Sequence, residues 1–128
     1  MSDLILVVDD DPLARRMLKI ILRDPSFDII EASGGQETLD MVDAQLPALI
    51  VLDVMMPGVS GFDVCRALRA KPETVDLPII LYSAKTHPRD VQDGMDAGAT
   101  AYMFKPTPRK KMIALIQKLI AERSAATP

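Results

Sequence analysis

The stretch "LILVVDDDP", residues 4–12, places five apolar residues directly before three consecutive carboxylates. The apolar run is continuous rather than alternating, and such runs are typical of strands buried on both faces of a parallel sheet. Two carboxylates about 4 Å apart at a protein surface repel each other by about 4 kcal/mol at an effective dielectric constant near 20. The stretch therefore predicts a buried strand whose carboxyl end needs a cation to offset this repulsion.

Four more short apolar or β-branched runs follow, separated by segments with helical spacing. They are "DIIEA" at 28–32, "ALIVL" at 48–52, "PIILY" at 78–82 and "TAYMF" at 100–104. Strands that alternate with helices favour parallel pairing, with helices on both faces of one sheet. We therefore predict an α/β fold with a five-stranded parallel sheet in the order 2-1-3-4-5, a doubly wound (βα)5, flavodoxin-like three-layer sandwich.

The first two helices are predicted from their caps and from the spacing of their apolar residues. Asp11 is expected to cap the first helix, with Pro12 in its first turn. The core-facing residues of this helix are predicted to be Leu13, Met17, Ile20 and Ile21. The second helix is expected to run to about Leu46, and that residue to belong to its apolar face.

The composition indicates one small domain. The chain has 128 residues, a net charge of −3 and one cysteine, so that no internal disulfide can form. A single cysteine fits a reducing compartment, and no apolar run is long enough for a spanning helix. We expect one cytoplasmic domain over residues 1–123 with a short tail or truncated linker at 124–128, and no direct nucleic acid or membrane binding.

Polar side chains follow four of the five predicted strands. Asp9 and Asp10 follow the first run, Asp53 the third, Ser83 the fourth and Lys105 the fifth, whereas the second contributes no polar group with obvious chemistry. Ligands of open parallel sheets bind outside the carboxyl ends of the strands, so these side chains are expected at one edge. Three carboxylates there suit Mg²⁺, which binds one or two carboxylates together with waters and phosphate oxygens. A carboxylate held beside Mg²⁺, a hydroxyl and a lysine can attack phosphorus and form an aspartyl phosphate.

At these residues the chain resembles a response-regulator receiver domain of two-component signalling, from about Leu4 to Arg123. The matching motifs are "VVDDDP" at 7–12, "VLDVMMPGVSG" at 51–61, "LYSAK" at 81–85 and "AGATAYMFKP" at 97–106. Each motif alone is weak, but the set in this order and spacing is highly specific.

The resemblance implies a role for each carboxylate. Asp53 matches the residue that accepts a phosphoryl group from a sensor histidine kinase or a phosphotransfer protein. Asp9 and Asp10 match the acidic pair that, with Asp53, holds Mg²⁺, for which Mn²⁺ can substitute. The backbone carbonyl of Met55 usually joins this ligand set.

The resemblance also assigns the groups at the other strand ends. Lys105 matches the phosphate-binding lysine, and its bond to Pro106 is commonly cis in the family. Ser83 matches the switch hydroxyl that turns inward to the phosphoryl group, and Tyr102 matches the aromatic residue that follows it. Asp53, Lys105 and Ser83 would thus form the catalytic set.

Two positions bear on the surface that binds downstream partners and on the lifetime of the phosphoryl group. Thr107 stands where the family often has phenylalanine, so the entry to the last helix differs. We expect a homodimer or downstream effector to bind the face formed by the fourth helix, fifth strand and fifth helix. Lys85 lies two residues beyond Ser83, and we hypothesise that its charge alters the dephosphorylation rate.

Two other functions are compatible with this fold class, because a fold does not fix a function. One is a flavin-binding electron carrier, although "DDDPLARR" at 9–16 would repel a phosphate that is not accompanied by a metal. The other is an aspartate-nucleophile phosphatase, which needs a second aspartate where Met55 stands. Enzymatic activity is expected to be limited to slow self-phosphorylation from small phosphodonors and slow loss of the phosphoryl group.

Overall fold

The computed structural model describes residues 2–126, and the side chains of residues 2–124. In this part of the chain, five strands alternate with five helices. The strands are β1 (Asp3–Val8), β2 (Phe27–Ala32), β3 (Leu49–Leu52), β4 (Ile79–Ser83) and β5 (Ala101–Phe104). The helices are α1 (Pro12–Ile21), α2 (Gly35–Ala44), α3 (Gly61–Arg69), α4 (Pro88–Asp96) and α5 (Arg109–Ala126).

The strands form one parallel sheet in the order β2-β1-β3-β4-β5. This confirms the predicted fold class and strand order. Val8 pairs with Leu52 across β1 and β3, Leu52 pairs with Leu81 across β3 and β4, and Ser83 pairs with Phe104 across β4 and β5. The last residues of neighbouring strands are nearly level, so the residues that follow them share one border, called here the carboxyl edge of the sheet.

Both faces of the sheet are covered by helices. From Ile5 onward, the odd-numbered residues of β1 and β3 pack in one apolar cluster with residues of α1 and α5. From Leu6 onward, the even-numbered residues of the same strands pack in a second cluster with residues of α2 and α3. Because neighbouring residues of a strand point to opposite faces, a strand covered on both faces must be apolar at every position, as the continuous runs are.

The predicted core face of α1 is wrong for three of its four residues, whereas the fourth, Ile21, is partly buried and packs against the cluster between α1, α5 and the sheet. Leu13, Met17 and Ile20 are 63%, 56% and 55% exposed, whereas Leu18 and the C-capping Leu22 are buried against the sheet. The helix carries two apolar stripes, and its spacing alone does not decide which one packs inward. The predicted cap is confirmed, since the Asp11 carboxylate accepts the N–H of Leu13 at 3.0 Å.

Two helix ends also differ from the prediction. α2 ends at Ala44, and Leu46 is 47% exposed rather than part of its apolar face. Pro47 disfavours helical backbone at the preceding residue, which stops the helix early. α5 continues to Ala126, so the first residues of the predicted tail are helical, while positions 127 and 128 lie outside the described residues. Among the described residues, the helices are too short or too polar to cross a membrane.

Candidate functional site

Three carboxylates meet at the carboxyl edge. Asp9 and Asp10 follow β1, and Asp53 follows β3. The two strand ends are neighbours, because the Asp53 N–H donates to the Val8 carbonyl at 3.0 Å. Each carboxylate offers one oxygen, and these oxygens lie within 4.8 Å of one another. Asp9 and Asp53 are largely buried and Asp10 is exposed. This set of hard oxygen donors, open on one side, suits a divalent cation that keeps some of its waters.

The chain holds Asp9 by several contacts. One carboxylate oxygen accepts the backbone N–H of Asp11 at 3.0 Å, and the other accepts the Lys105 ammonium at 2.6 Å. The Arg15 guanidinium donates to the Asp9 carbonyl at 2.7 Å and pairs with Glu31 of β2 at 3.3 Å. Sequence reasoning missed this pair, because β2 was expected to contribute nothing to the site. The signal that could have found it was the acidic residue next to the end of β2.

The electrostatic environment of Asp53 opposes its ionised form. Burial raises the pKa of Asp53, and the nearby Asp9 charge raises it further. The Lys105 ammonium, 3.7 Å away, and the N–H groups of Met55 and Val54 lower this pKa but do not cancel the rise. Asp53 is therefore a carboxylate whose charge is only partly compensated by the chain, and a cation at this edge would complete the compensation.

Lys105 reaches the carboxylates from β5, two strands away from β3. Its backbone N–H donates to the Ser83 carbonyl at 2.8 Å, and its bond to Pro106 is cis. Burial lowers the pKa of Lys105, but the Asp9 hydrogen bond and the Asp53 charge raise it above its ordinary value overall. The side chain is thus held as a cation between the two buried carboxylates.

Ser83 and Tyr102 meet at the backbone of Lys85. The buried Ser83 hydroxyl accepts the Lys85 N–H at 3.1 Å, and the Tyr102 hydroxyl donates to the Lys85 carbonyl at 2.8 Å. Burial raises the pKa of Tyr102, and the Ser83 hydroxyl partly offsets this. The Tyr102 ring lies against Gly94 of α4, where an added Cβ would come within 3.0 Å of it. These contacts link the end of β4 to β5 and α4.

Met55 and Lys85 border the acidic cluster. With Asp10 they line an open groove, and the Met55 side chain is exposed. The Lys85 ammonium lies 4.0 Å from Asp90 of α4. The role of the Met55 carbonyl as a metal ligand stays a prediction.

The loop from β3 to α3 closes tightly over Asp53. Gly61 donates its N–H to the Val54 carbonyl at 3.0 Å. A Cβ at Gly61 would overlap the Asp53 carbonyl oxygen and come within 2.9 Å of the Val54 Cα. The position therefore requires glycine, because the obstructing atoms are backbone.

Comparisons with known proteins give a consistent result. The family model for "Response regulator receiver domain" matches residues 5–117. The chain is 42% identical over 117 residues to "DNA-binding response regulator MtrA" of Mycolicibacterium smegmatis, which covers 91% of this chain and 50% of that protein. It is 38% identical over 120 residues to "Transcriptional regulatory protein AfsQ1" of Streptomyces coelicolor, which covers 94% of this chain and 52% of that protein. The solved signal receiver domain of a signal transduction histidine kinase from Syntrophus aciditrophicus superposes with a TM-score of 0.87 at 29% identity, covering 94% and 92% of the two chains.

These findings correct the expectation about partners. The relative MtrA is named as a DNA-binding response regulator, which contradicts the expectation of a protein without a nucleic acid partner. The chain spans about half the length of the curated relatives it matches. Of the expected partners, the histidine kinase is the one that the comparisons support.

Proposed function

This chain belongs to the response-regulator receiver family, and from that premise we propose that Asp53 is the residue that accepts the phosphoryl group. The chain is a phosphoacceptor domain of two-component signalling. The observation that carries the assignment to Asp53 is its position among Asp9, Asp10 and the Lys105 ammonium. We propose that the domain comprises residues 1–123, with α5 extending three residues beyond this bound to Ala126.

The proposed step is a displacement at phosphorus. An oxygen of the Asp53 carboxylate attacks the phosphorus atom of the donor, and the bond between phosphorus and the leaving atom breaks. The electron pair of that bond stays on the donor, which is the phosphohistidine of a histidine kinase or a small acyl phosphate. In such a transfer the protein contributes mainly position and charge stabilisation.

Mg²⁺ is the cation that this donor set fits best, with Mn²⁺ as a substitute. We propose that Asp9, Asp10, Asp53 and the Met55 carbonyl would hold it. When bound, the ion would neutralise charge on the phosphoryl oxygens. Supporting this, contacts within the chain already orient the carboxylates of Asp9 and Asp53, whereas Asp10 is exposed to solvent.

The remaining residues have proposed roles after transfer. A phosphoryl group adds a charge of about −1.5 to −2 near neutral pH. Lys105 would bind one of its oxygens, and the Ser83 hydroxyl would exchange its bond with the Lys85 N–H for a bond to the phosphoryl group. Tyr102, which is bonded to the same Lys85 backbone, would move with it. The phosphoryl group would thus bias a two-state element.

The alternative functions are disfavoured by particular residues. A flavin phosphate would need neutral donors after β1, and this position holds two carboxylates. A phosphatase of the aspartate-nucleophile type needs a general acid two residues after Asp53, and the thioether of Met55 cannot donate a proton there.

The test is phosphoryl uptake by intact mass. The wild-type protein, incubated with acetyl phosphate and Mg²⁺, should gain one acid-stable, base-labile phosphoryl group. Asp53→Asn should gain none, whereas Asp28→Asn, which changes an exposed carboxylate on β2, should behave like wild type. Uptake by Asp53→Asn at the wild-type rate would show that another residue accepts the phosphoryl group.

A further inference from the structure

Lys105 has a flexible side chain, and its function requires a fixed position. A lysine carries its charge on a four-carbon stem, so something must hold the ammonium near Asp53. Its shortest contact, 2.6 Å, is to Asp9. Asp9 is also a candidate metal ligand, so an ion bound to its carboxylate would compete with Lys105 for that partner. A second contact that does not bind metal would be needed to keep the ammonium in place.

The ring of Tyr82 supplies such a contact. The Lys105 ammonium lies over this ring, 5.5 Å from its centre, which is within the range of a cation–π interaction. Tyr82 pairs with Met103 across β4 and β5, and Lys105 lies two residues beyond Met103. Since side chains alternate along a strand, Tyr82, Met103 and Lys105 share the sheet face that α1 and α5 cover.

The Tyr82 ring is itself fixed to the loop that carries Lys105. Its hydroxyl accepts the N–H of the buried Thr107 at 3.1 Å. The Thr107 hydroxyl donates to the Phe104 carbonyl at 2.6 Å. The buried Tyr82 side chain thus contacts Lys105 through its ring and Thr107 through its hydroxyl, one residue on each side of Pro106.

We propose that Tyr82 is a positioning residue for phosphoryl transfer: its ring holds the Lys105 ammonium toward Asp53, and its hydroxyl fixes the loop from Phe104 to Thr107. The proposal rests on the proposed function of Asp53 and Lys105. This role differs from packing alone, because the Tyr82 ring affects the transfer rate through the Lys105 ammonium. Loss of the ring should therefore lower the transfer rate only while Lys105 is present.

The experiment is a double-mutant cycle on the phosphorylation rate with acetyl phosphate and Mg²⁺. Tyr82→Leu, which removes the ring, should slow the reaction about 5- to 10-fold, the size expected for a partly desolvated cation–π contact. Tyr82→Phe keeps the ring and should lose about twofold or less. In a Lys105→Met background, Tyr82→Leu should cause no further loss. The Mg²⁺ dissociation constant should stay within about twofold of the wild-type value in Tyr82→Leu and in Tyr82→Phe.

A spectroscopic measurement covers the case in which Tyr82→Leu does not fold. The ε-CH₂ protons of Lys105 should be shifted upfield by the Tyr82 ring in the NMR spectrum of the wild-type protein with Mg²⁺, and Tyr82→Phe should keep that shift. Ordinary lysine shifts would overturn the proposal, as would an equal rate loss from Tyr82→Leu in both backgrounds. These outcomes are separate from the test of Asp53, because they leave phosphoryl uptake by the wild-type protein in place.

Discussion

The carboxyl edge has two halves that are built differently. The acidic half comprises Asp9, Asp10 and Asp53 at the ends of β1 and β3, and the cationic half comprises Ser83 and Lys105 at the ends of β4 and β5. An aspartate carboxylate is one methylene from the backbone, so strand register almost fixes its position. The Lys105 ammonium is four carbons away, so its position depends on Asp9 and Tyr82. The acidic half follows from backbone geometry, and the cationic half follows from side-chain contacts.

The electrostatics of the two halves differ in the same way. Burial and mutual repulsion make the acidic half unfavourable in the absence of a cation, as the raised pKa of Asp53 shows. Lys105 gains from its position, since the carboxylates raise its pKa despite burial. Apart from Asp53, the proposed acceptor itself, changes in the acidic half should therefore act mainly on stability and metal affinity. Changes in the cationic half should act mainly on the transfer rate.

Among changes that keep the acceptor Asp53, the largest expected effect comes from Lys105→Met. Removal of one fixed donor from a site of developing charge typically costs a factor of about 100 to 1,000 in rate, and we expect a loss of this size in phosphoryl uptake. The Mg²⁺ affinity should rise, because the ammonium no longer occupies the Asp9 carboxylate at 2.6 Å. Intact mass and a calorimetric metal titration measure the two quantities. Lys110→Met, an exposed position on α5, is the control, and a weakened Mg²⁺ affinity in Lys105→Met would contradict the separation of the two halves.

The next effect tests the backbone support of the acidic half. Gly61→Ala places a methyl group against the Asp53 carbonyl and the Val54 Cα, and should destabilise the protein by about 1–3 kcal/mol or more. Gly34→Ala is the matched control, because an added Cβ there meets no atom within 4 Å and the backbone is extended. Thermal unfolding should show a lower midpoint for Gly61→Ala only. Equal midpoints would mean that the loop over Asp53 can shift.

The acidic half was the easier part to predict from the sequence. The continuous run at 4–8 requires a strand covered on both faces, and the alternation of strands and helices requires parallel pairing. Once β1 and β3 are neighbours, the residues after them must meet, whatever their side-chain conformations. The same reasoning brings Ser83 and Lys105 to the carboxyl edge, because it concerns only the backbone.

The parts that could not be predicted depend on which way side chains turn. α1 has two apolar stripes, and only packing against the sheet selects Leu18 over Met17. In the sequence, nothing distinguishes Glu31 from the other acidic residues; its role follows from its ion pair with Arg15 of α1 in the folded chain. From the sequence alone, Tyr82 is simply an aromatic residue of a strand, because its contact with the Lys105 ammonium depends on the pairing of β4 with β5.

A smaller effect concerns the pH dependence of stability without metal. The pKa of Asp53 is 3.8 in the unfolded chain and is raised above this value in the folded protein. At a pH between the unfolded-state and folded-state pKa, the folded state therefore binds more protons than the unfolded state. Stability is therefore lost as the pH rises through this window, and the loss is complete above the folded-state pKa. In chelator, Asp53→Asn should melt at a higher temperature than wild type at neutral pH. The difference should vanish as the pH falls below 3.8, the unfolded value. A lower melting temperature for Asp53→Asn at neutral pH would show that Lys105 outweighs burial.

The smallest effect compares two ammonium groups of different burial. Lys105 is partly buried between Asp9 and Asp53, whereas Lys85 is 42% exposed, with Asp90 at 4.0 Å. Exposed charges interact by about 1 kcal/mol or less, which limits the influence of Lys85 on the phosphoryl group to about fivefold. Its positive charge borders the groove beside Asp10 and Met55 and should ease the approach of water to an anionic phosphoryl group. Lys85→Met should therefore lengthen the phosphoryl lifetime, and Lys85→Arg should leave it nearly unchanged, when dephosphorylation is followed after removal of the donor. Identical lifetimes in all three proteins would show that the exposed charge of Lys85 does not influence dephosphorylation, in contrast to the charge of Lys105, whose position Asp9 and Tyr82 fix.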